Sequence, residues 1–203
     1  MAPARPVRGI KPKESLSENG VRIIRTRLDE LLSWRPYIKE PGRITELHNM
    51  RISAKRLRYA VEVFVLCFPK LKPVLDDLTD IQETLGNIHD LDVLTDLFRE
   101  RLRTLDAHVQ EEALHVASHA ETRRERADQM RGVLYASARD PQRLGVMGLL
   151  VEKVGERQTL HEQFILRWDG PGLDLFAESI EHAISAASAP TAEPEAEPES
   201  QRA

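Results

Sequence analysis

The sequence predicts an all-α fold, built as one or more bundles of antiparallel helices. Three observations carry that expectation. Apolar residues recur at spacings of three and four through every long segment between about residue 15 and residue 188. No segment alternates apolar and polar residues between turn signals, as a half-buried strand would. Aromatic residues make up only 5% of a chain that is 41% hydrophobic, so the core must come mainly from Leu, Val, Ile and Ala.

The elements follow in chain order. Residues 1–14 are expected to form a flexible basic arm, in which Pro3, Pro6 and Pro12 alternate with Arg5, Arg8, Lys11 and Lys13 and no apolar period is present. Ser15 and Glu18 make a capping box ahead of Val21, Ile24, Leu28 and Leu31, and Pro36 ends that helix. Pro41-Gly42 marks a turn, and a long helix is expected from about Arg43 to Phe68, stopped by Pro69. A third helix begins near Pro73 and is expected to close at Gly86, with a fourth following at once through Leu91, Leu94, Leu97, Phe98 and Leu102. A fifth is expected over about Asp106 to Ala138. A helix from about Leu144 to Trp168 comes after Pro141. The breaker Gly170-Pro171-Gly172 then precedes a last helix to about Ala187. The helical domain is thus bounded at 15–188. Residues 189–203, an acidic Ala/Pro/Glu tail, have no period from which a core could be built.

Composition excludes some functions. A net charge of −4 argues against coating nucleic acid through bulk charge. The single cysteine, Cys67, lies in the apolar run Val63–Phe68 and reads as a small core residue in a reducing cytosol. The N-terminal segment has basic residues but no apolar stretch, so it is not expected to be a secretory signal. The longest apolar run, Leu144 to Val151, is far short of the about 20 residues that span a bilayer.

Charge is unevenly distributed. Residues 43–72 carry seven Lys or Arg against Glu46 and Glu62, whereas residues 76–100 carry eight acidic groups against Arg99. On the helix over residues 47–64, Leu47, Met50, Ala54, Leu57, Val61 and Val65 form one apolar stripe at 100° per residue. Beside it His48, Arg51, Lys55, Arg58 and Glu62 make a continuous ridge. Beyond the ridge, Ile52, Tyr59, Val63 and Leu66 form a second apolar strip, which leaves Asn49, Ser53, Arg56 and Ala60 as the expected solvated arc. Cations held between two apolar strips need either acids from a neighbouring helix or an anionic ligand.

The pattern His48-x-x-Arg51-x-x-x-Lys55-Arg56-x-Arg58-Tyr59-x-x-Glu62 resembles the signature helix of CHAD domains, the conserved-histidine α-helical domains. The segment Leu78-x-x-Ile81-Gln82-x-x-Leu85-Gly86-Asn87-Ile88-His89-Asp90-Leu91-Asp92-Val93 resembles the second motif of that family, in which a Leu-Gly break leads into Asp-x-Asp-Val. Together the two motifs cover about residues 44–105. The resemblance implies a CHAD-like helical bundle that binds inorganic polyphosphate through a basic groove. It assigns binding to His48, Arg51, Lys55, Arg56 and Arg58, and structural pairing roles to Tyr59, Glu62, Asp90 and Asp92. Forked Arg donors, the Lys point charge and a ridge at helical spacing suit a linear polyanion. His48 adds charge below about pH 6.5. Longer members of the family carry the basic helix twice; here His119, Arg123 and Arg126, or Lys153, Arg157 and His161, are the candidates for an opposite wall. Asp90 and Asp92 are expected to cap the helix after Gly86-Asn87 and to pair with the basic helix.

Two other functions compete with this one. Glu112, His115 and His119 share a helix face, but a di-iron carboxylate bundle needs a second Glu-x-x-His, which the chain lacks. There is no Walker loop, Gly-x-Ser-x-Gly or Cys-x-x-Cys, so no enzymatic activity, cofactor or metal is expected. Nucleic-acid binding is disfavoured for want of a known motif or an aromatic platform near the ridge. A bundle whose charges are all paired internally, serving a structural or partner-binding role, stays open as an alternative. The location implied is cytoplasmic, with recruitment to polyphosphate granules.

Overall fold

The computed structural model describes residues 3–186. Those residues form six helices and no strand: α1 Leu16–Leu32, α2 Ile44–Phe64, α3 Val74–His119, α4 Arg123–Ala138, α5 Pro141–Trp168 and α6 Pro171–Ala186. Short 3-10 turns, Arg35–Tyr37 and Pro69–Leu71, join α1 to α2 and α2 to α3. The expected tail at 189–203 lies outside the described residues.

Local chemistry sets most boundaries. The Ser15 hydroxyl accepts from the Glu18 amide at 3.2 Å and the Glu18 carboxylate accepts from the Ser15 amide at 2.8 Å, closing the capping box that starts α1. Asp140 caps α5 by accepting from the Gln142 amide at 2.9 Å, with Pro141 at the first helical position. The basic arm lies antiparallel along α1. Lys11 exchanges hydrogen bonds with Asn19 at 3.0 and 2.9 Å, and the Arg5 carbonyl accepts from Arg27 at 3.0 Å.

The expected division of residues 73–138 is incorrect. Gly86 does not end a helix, and α3 runs unbroken for 46 residues. One glycine costs a helix about 1 kcal/mol relative to alanine. That is too little to interrupt a segment anchored on both sides by the buried Leu85 and Ile88. The break falls instead at Ala120–Thr122, where Thr122 accepts from the Glu125 amide at 3.1 Å and starts α4.

The core lies at one end of this layout. It joins Ile24, Leu28 and Leu31 of α1, the apolar stripe of α2, Leu78, Ile81, Leu85 and Ile88 of α3, Phe164 and Trp168 of α5, and Phe176, Ile180 and Ile184 of α6. Gly20 of α1 lies against the Phe64 ring, where an added Cβ would come within 2.8 Å, so α1 and α2 approach closely there. Beyond this core, the second half of α3 continues with α4 and the start of α5 alongside it. Among the described residues, only Ala120 and Val133 are buried apolar side chains in residues 101–155.

Candidate functional site

Helix α2 is oriented differently from the expectation in one respect. Asn49, Ser53 and Ala60, assigned above to solvent, are buried. Ser53 accepts from the Trp34 indole at 3.0 Å and donates to Glu30 at 3.3 Å. The second apolar strip is the one that meets water: Val63 and Leu66 are exposed, and Tyr59 is 48% exposed. The arc was misread because small and polar residues on a helix can pack against a neighbouring helix as readily as face solvent. The basic ridge therefore lies at the border between core and solvent, between the buried stripe and an open face.

Arg56 does not join the ridge. It forms an ion pair with Glu30, a carboxylate that is 3% exposed and also accepts from Arg27 at 2.6 Å and from the Arg5 amide at 3.3 Å. Burial opposes ionisation of Glu30, but the bonds from Arg56, Arg27 and the Arg5 backbone outweigh it and hold the carboxyl below the ordinary range. Arg56 is thus part of the α1–α2 packing.

Of the remaining ridge residues, His48 and Arg51 meet α3, at His89 and Gly86, two positions of the second motif with no role assigned above. The His48 and His89 rings lie 4.4 Å apart, centroid to centroid. Arg51 lies over Gly86: a Cβ built there would stand 3.3 Å from its Nε and 3.8 Å from Nη2. Lys55 and Arg58 both lie 5.6 Å from the ring centroid of Tyr59, so an exposed aromatic ring does accompany the ridge. Glu62 is 3.2 Å from Arg58 Nε, an ion pair by distance but without hydrogen-bond geometry.

Four buried polar atoms of α2 and α3 have no hydrogen-bond partner: His48 Nδ1, His89 Nδ1, Gln82 Oε1 and Arg58 Nε. Such atoms are costly and rare. Burial first, then the neighbouring His89 and Arg51, lower the pKa of His48 below its ordinary value. A proton there would add charge beside an unneutralised cation, so an anion at the ridge would stabilise it.

The acids of α3 do not neutralise the ridge. Asp92 is not a helix cap but lies within α3, buried, and pairs at 2.8 Å with Arg157 of α5. Asp77 and Asp80 lie 3.4 and 3.2 Å from Arg167 of α5. Asp96 and Glu100 pair locally with Arg99 and Arg103. Asp90 is exposed and also lies within the helix. For Arg51 and Lys55 no ion pair occurs among the described residues.

Among the described residues, Lys153, Arg157, His161 and His119 of the suggested walls have partners of their own. Arg157 is held by Asp92 and donates to the Pro41 carbonyl at 2.7 Å. His161 is buried with Nε2 2.8 Å from the Ile38 carbonyl, and Lys153 pairs with Glu152 and Glu156. His119 ends α3, whereas Arg123 and Arg126 belong to α4. His119 is thirty residues beyond His89, or about 45 Å along the helix. His115 and His119 stack at 4.2 Å, but no cluster of three or more His, Cys, Asp or Glu able to hold a metal occurs among the described residues. No helix among them is long and apolar enough to cross a membrane.

A cavity of about 650 Å³ lies beside α5 and is lined by Lys39, Pro41, Val154, Arg157, His161 and Ile165 among others. The ridge itself runs along α2 beside α3, with His48 against His89 and Arg51 over Gly86. Comparison with curated proteins and with solved structures finds no match. The family model described as CHAD domain matches residues 22–197, which is most of the sequence and includes both motifs. The chain belongs to the CHAD domain family.

Proposed function

We propose that the α2–α3 groove binds inorganic polyphosphate, with Arg51, Lys55 and Arg58 supplying charge and His48 adding a conditional proton. The observation that carries this reading is the distribution of acids. The eight acidic groups of residues 76–100 had offered a way to neutralise the ridge internally, and the ion pairs they form run to α5 or along α3. Cations left without acids at the edge of a core attract an anion, and a ridge from His48 to Arg58, about 15 Å long, suits an extended one. Gln82 and His89 of α3 form the second wall in this proposal, and Arg56 is left to its structural pair. The role is binding rather than catalysis, in the cytoplasm, with recruitment to polyphosphate granules as the cellular consequence.

Calorimetric titration with long-chain polyphosphate, orthophosphate and single-stranded DNA at two salt concentrations tests this. Polyphosphate is expected to bind most tightly, with affinity falling as salt rises. An Arg51→Ala, Lys55→Ala, Arg58→Ala variant of unchanged helicity is expected to lose it. Equal or tighter binding of DNA would assign the groove, with the exposed Tyr59, to nucleic acid instead. Undiminished polyphosphate binding by the variant would refute the site.

A further inference from the structure

Helix α6 ends at the foot of the basic ridge, and the sequence that follows it is acidic. Ala183 and Ala186 line a cavity together with Phe68, Pro69 and Lys70, at the turn that follows α2. A second cavity shares Pro69 and Lys70 and is lined also by Lys72, Pro73, Leu75 and Asp76. Lys70 and Lys72 are exposed, and for neither does an ion pair occur among the described residues. From Phe64, the last residue of α2, Arg58 lies about 9 Å back along the helix and Arg51 about 20 Å. Positive charge therefore runs from Arg51 down α2 to the turn against which α6 ends. Other cations near α6 have acids of their own: Arg25 pairs with Glu181, Arg35 with Asp174, and Arg167 with Asp77 and Asp80.

Residues 187–203, outside the described residues, carry Glu193, Glu195, Glu197 and Glu199 against Arg202, with Pro194 and Pro198 between the acids. In a polyproline-type backbone, which rises about 3.1 Å per residue, acids at alternate positions stand about 6 Å apart. The ridge cations Arg51, Lys55 and Arg58 are spaced by four and three residues, about 6 and 4.5 Å along α2. The two rows of charge can therefore meet as successive ion pairs. Reach is sufficient as well. At that rise the chain from Ala186 spans up to about 22 Å to Glu193 and about 40 Å to Glu199.

We propose that residues 187–203 dock along the α2 ridge of their own chain, the glutamates on Arg51, Lys55 and Arg58, and compete there with polyphosphate. The competition rests on the binding role proposed above for the ridge. Exposed ion pairs are individually weak, but a tether this short holds the tail near the ridge at an effective concentration in the millimolar range. A long polyanion, with more charges than the tail can offer, displaces it.

Carbodiimide coupling of carboxylates to amines, mapped by mass spectrometry on the monomeric 203-residue chain, reads the contact without polyphosphate. At low salt Lys55 is expected to be joined to the glutamates of the tail. An Arg51→Ala, Arg58→Ala variant of unchanged helicity keeps Lys55 but removes its flanking charges, and is expected to lose most of that cross-link. In calorimetry, a Glu193→Gln, Glu195→Gln, Glu197→Gln, Glu199→Gln variant is expected to bind polyphosphate about 3- to 10-fold more tightly at low salt, with the gain lost at high salt. A control with Gln at the exposed Glu111, Glu112, Glu121 and Glu178 removes the same charge elsewhere and is expected to gain less. No Lys55 cross-link, a cross-link undiminished in the double variant, or an equal gain in the control would overturn the proposal. Failure of every chain to bind polyphosphate would refute the proposed function instead, with the Lys55 cross-link still deciding whether the tail lies on the ridge.

Discussion

Gly86 separates a functional reading of the α2–α3 groove from a structural one, because the two predict opposite signs for the same substitution. The residue lies inside α3, at helical backbone angles with no positive φ. Replacing it with alanine stabilises a helix interior by about 1 kcal/mol, through lost unfolded-state entropy and better propensity. The added Cβ would stand 3.3 Å from Arg51 Nε, so the guanidinium must shift by a few tenths of an ångström. Arg51 is the end of a flexible side chain and can give way at little cost. Gly86→Ala is therefore expected to leave stability unchanged or raise it by up to about 1 kcal/mol. It should weaken polyphosphate binding a few-fold by displacing the donor.

Gly86→Leu carries the displacement further while remaining a good helix former. A charge-assisted hydrogen bond to a phosphate is worth about 1.5–3 kcal/mol, so full displacement of Arg51 is expected to weaken binding by roughly 10- to 150-fold. Urea unfolding gives the stability and calorimetric titration the affinity. Arg51→Ala serves as the reference for complete loss. Gly86→Leu with wild-type affinity, beside an Arg51→Ala variant that has lost it, would refute the assignment of Gly86 as the floor on which Arg51 is positioned. A fall of more than about 1 kcal/mol in Gly86→Ala would show that the α2–α3 contact has no room for a methyl group.

Other outcomes separate binding from packing. Lys55→Ala, at an exposed ridge position, is expected to keep stability within about 0.5 kcal/mol and to weaken polyphosphate binding, measured on the same two assays. Arg56→Leu should do the reverse: loss of one partner of the buried Glu30, with Arg27 still in place, is expected to cost about 1–3 kcal/mol, with affinity retained by the folded fraction. His48 and His161 both have pKa values lowered chiefly by burial. The unfolded chain thus takes up protons below about pH 6.5 that the folded chain resists, and stability falls as pH drops from there toward the lowered folded values. His48→Asn is expected to flatten part of that fall in pH-dependent urea unfolding, and an unchanged profile would exclude His48 as a contributor. Because His48 lies in the groove and His161 does not, saturating polyphosphate should raise the pKa of His48 alone, followed by the imidazole proton resonances.

Much of the fold was legible in the sequence because helix termini are encoded by short-range chemistry. Ser15 with Glu18 and Pro141 are local signals, and the structure uses each of them. The exposed arc of α2 was not legible, since its orientation depends on a partner. Asn49 and Ser53 are polar, yet Ser53 is buried by its bonds to Trp34 and Glu30, residues 19 and 23 positions away. Likewise Asp92 could be recognised as a pairing residue, but its partner Arg157 lies 65 residues on. The candidate cations of the ridge were readable as a column on one helix. The pairing of Arg56 with Glu30 became visible only once α1 was in place.

The α3 side of the proposed site was hidden by one wrong break, because the break removes the phase that relates its residues. Taken as a helix end, Gly86 interrupts the phase between Gln82 and His89. On the unbroken α3, the three positions are spaced by four and three and form one column. That column carries no carboxylate, while Asp77, Asp80 and Asp92 turn to α5 and Asp96 pairs along its own helix. An acid at position 82, 86 or 89 would lie across from Arg51 and neutralise the ridge. α3 instead offers an amide, a bare backbone and an imidazole, groups that can line an anion site without competing for its cations. Gln82→Glu tests this directly. An added carboxylate should pair with the ridge, stabilise the apo chain or leave it unchanged, and weaken polyphosphate binding in a salt-dependent way. Affinity unchanged by Gln82→Glu would mean that the anion does not enter the groove between α2 and α3.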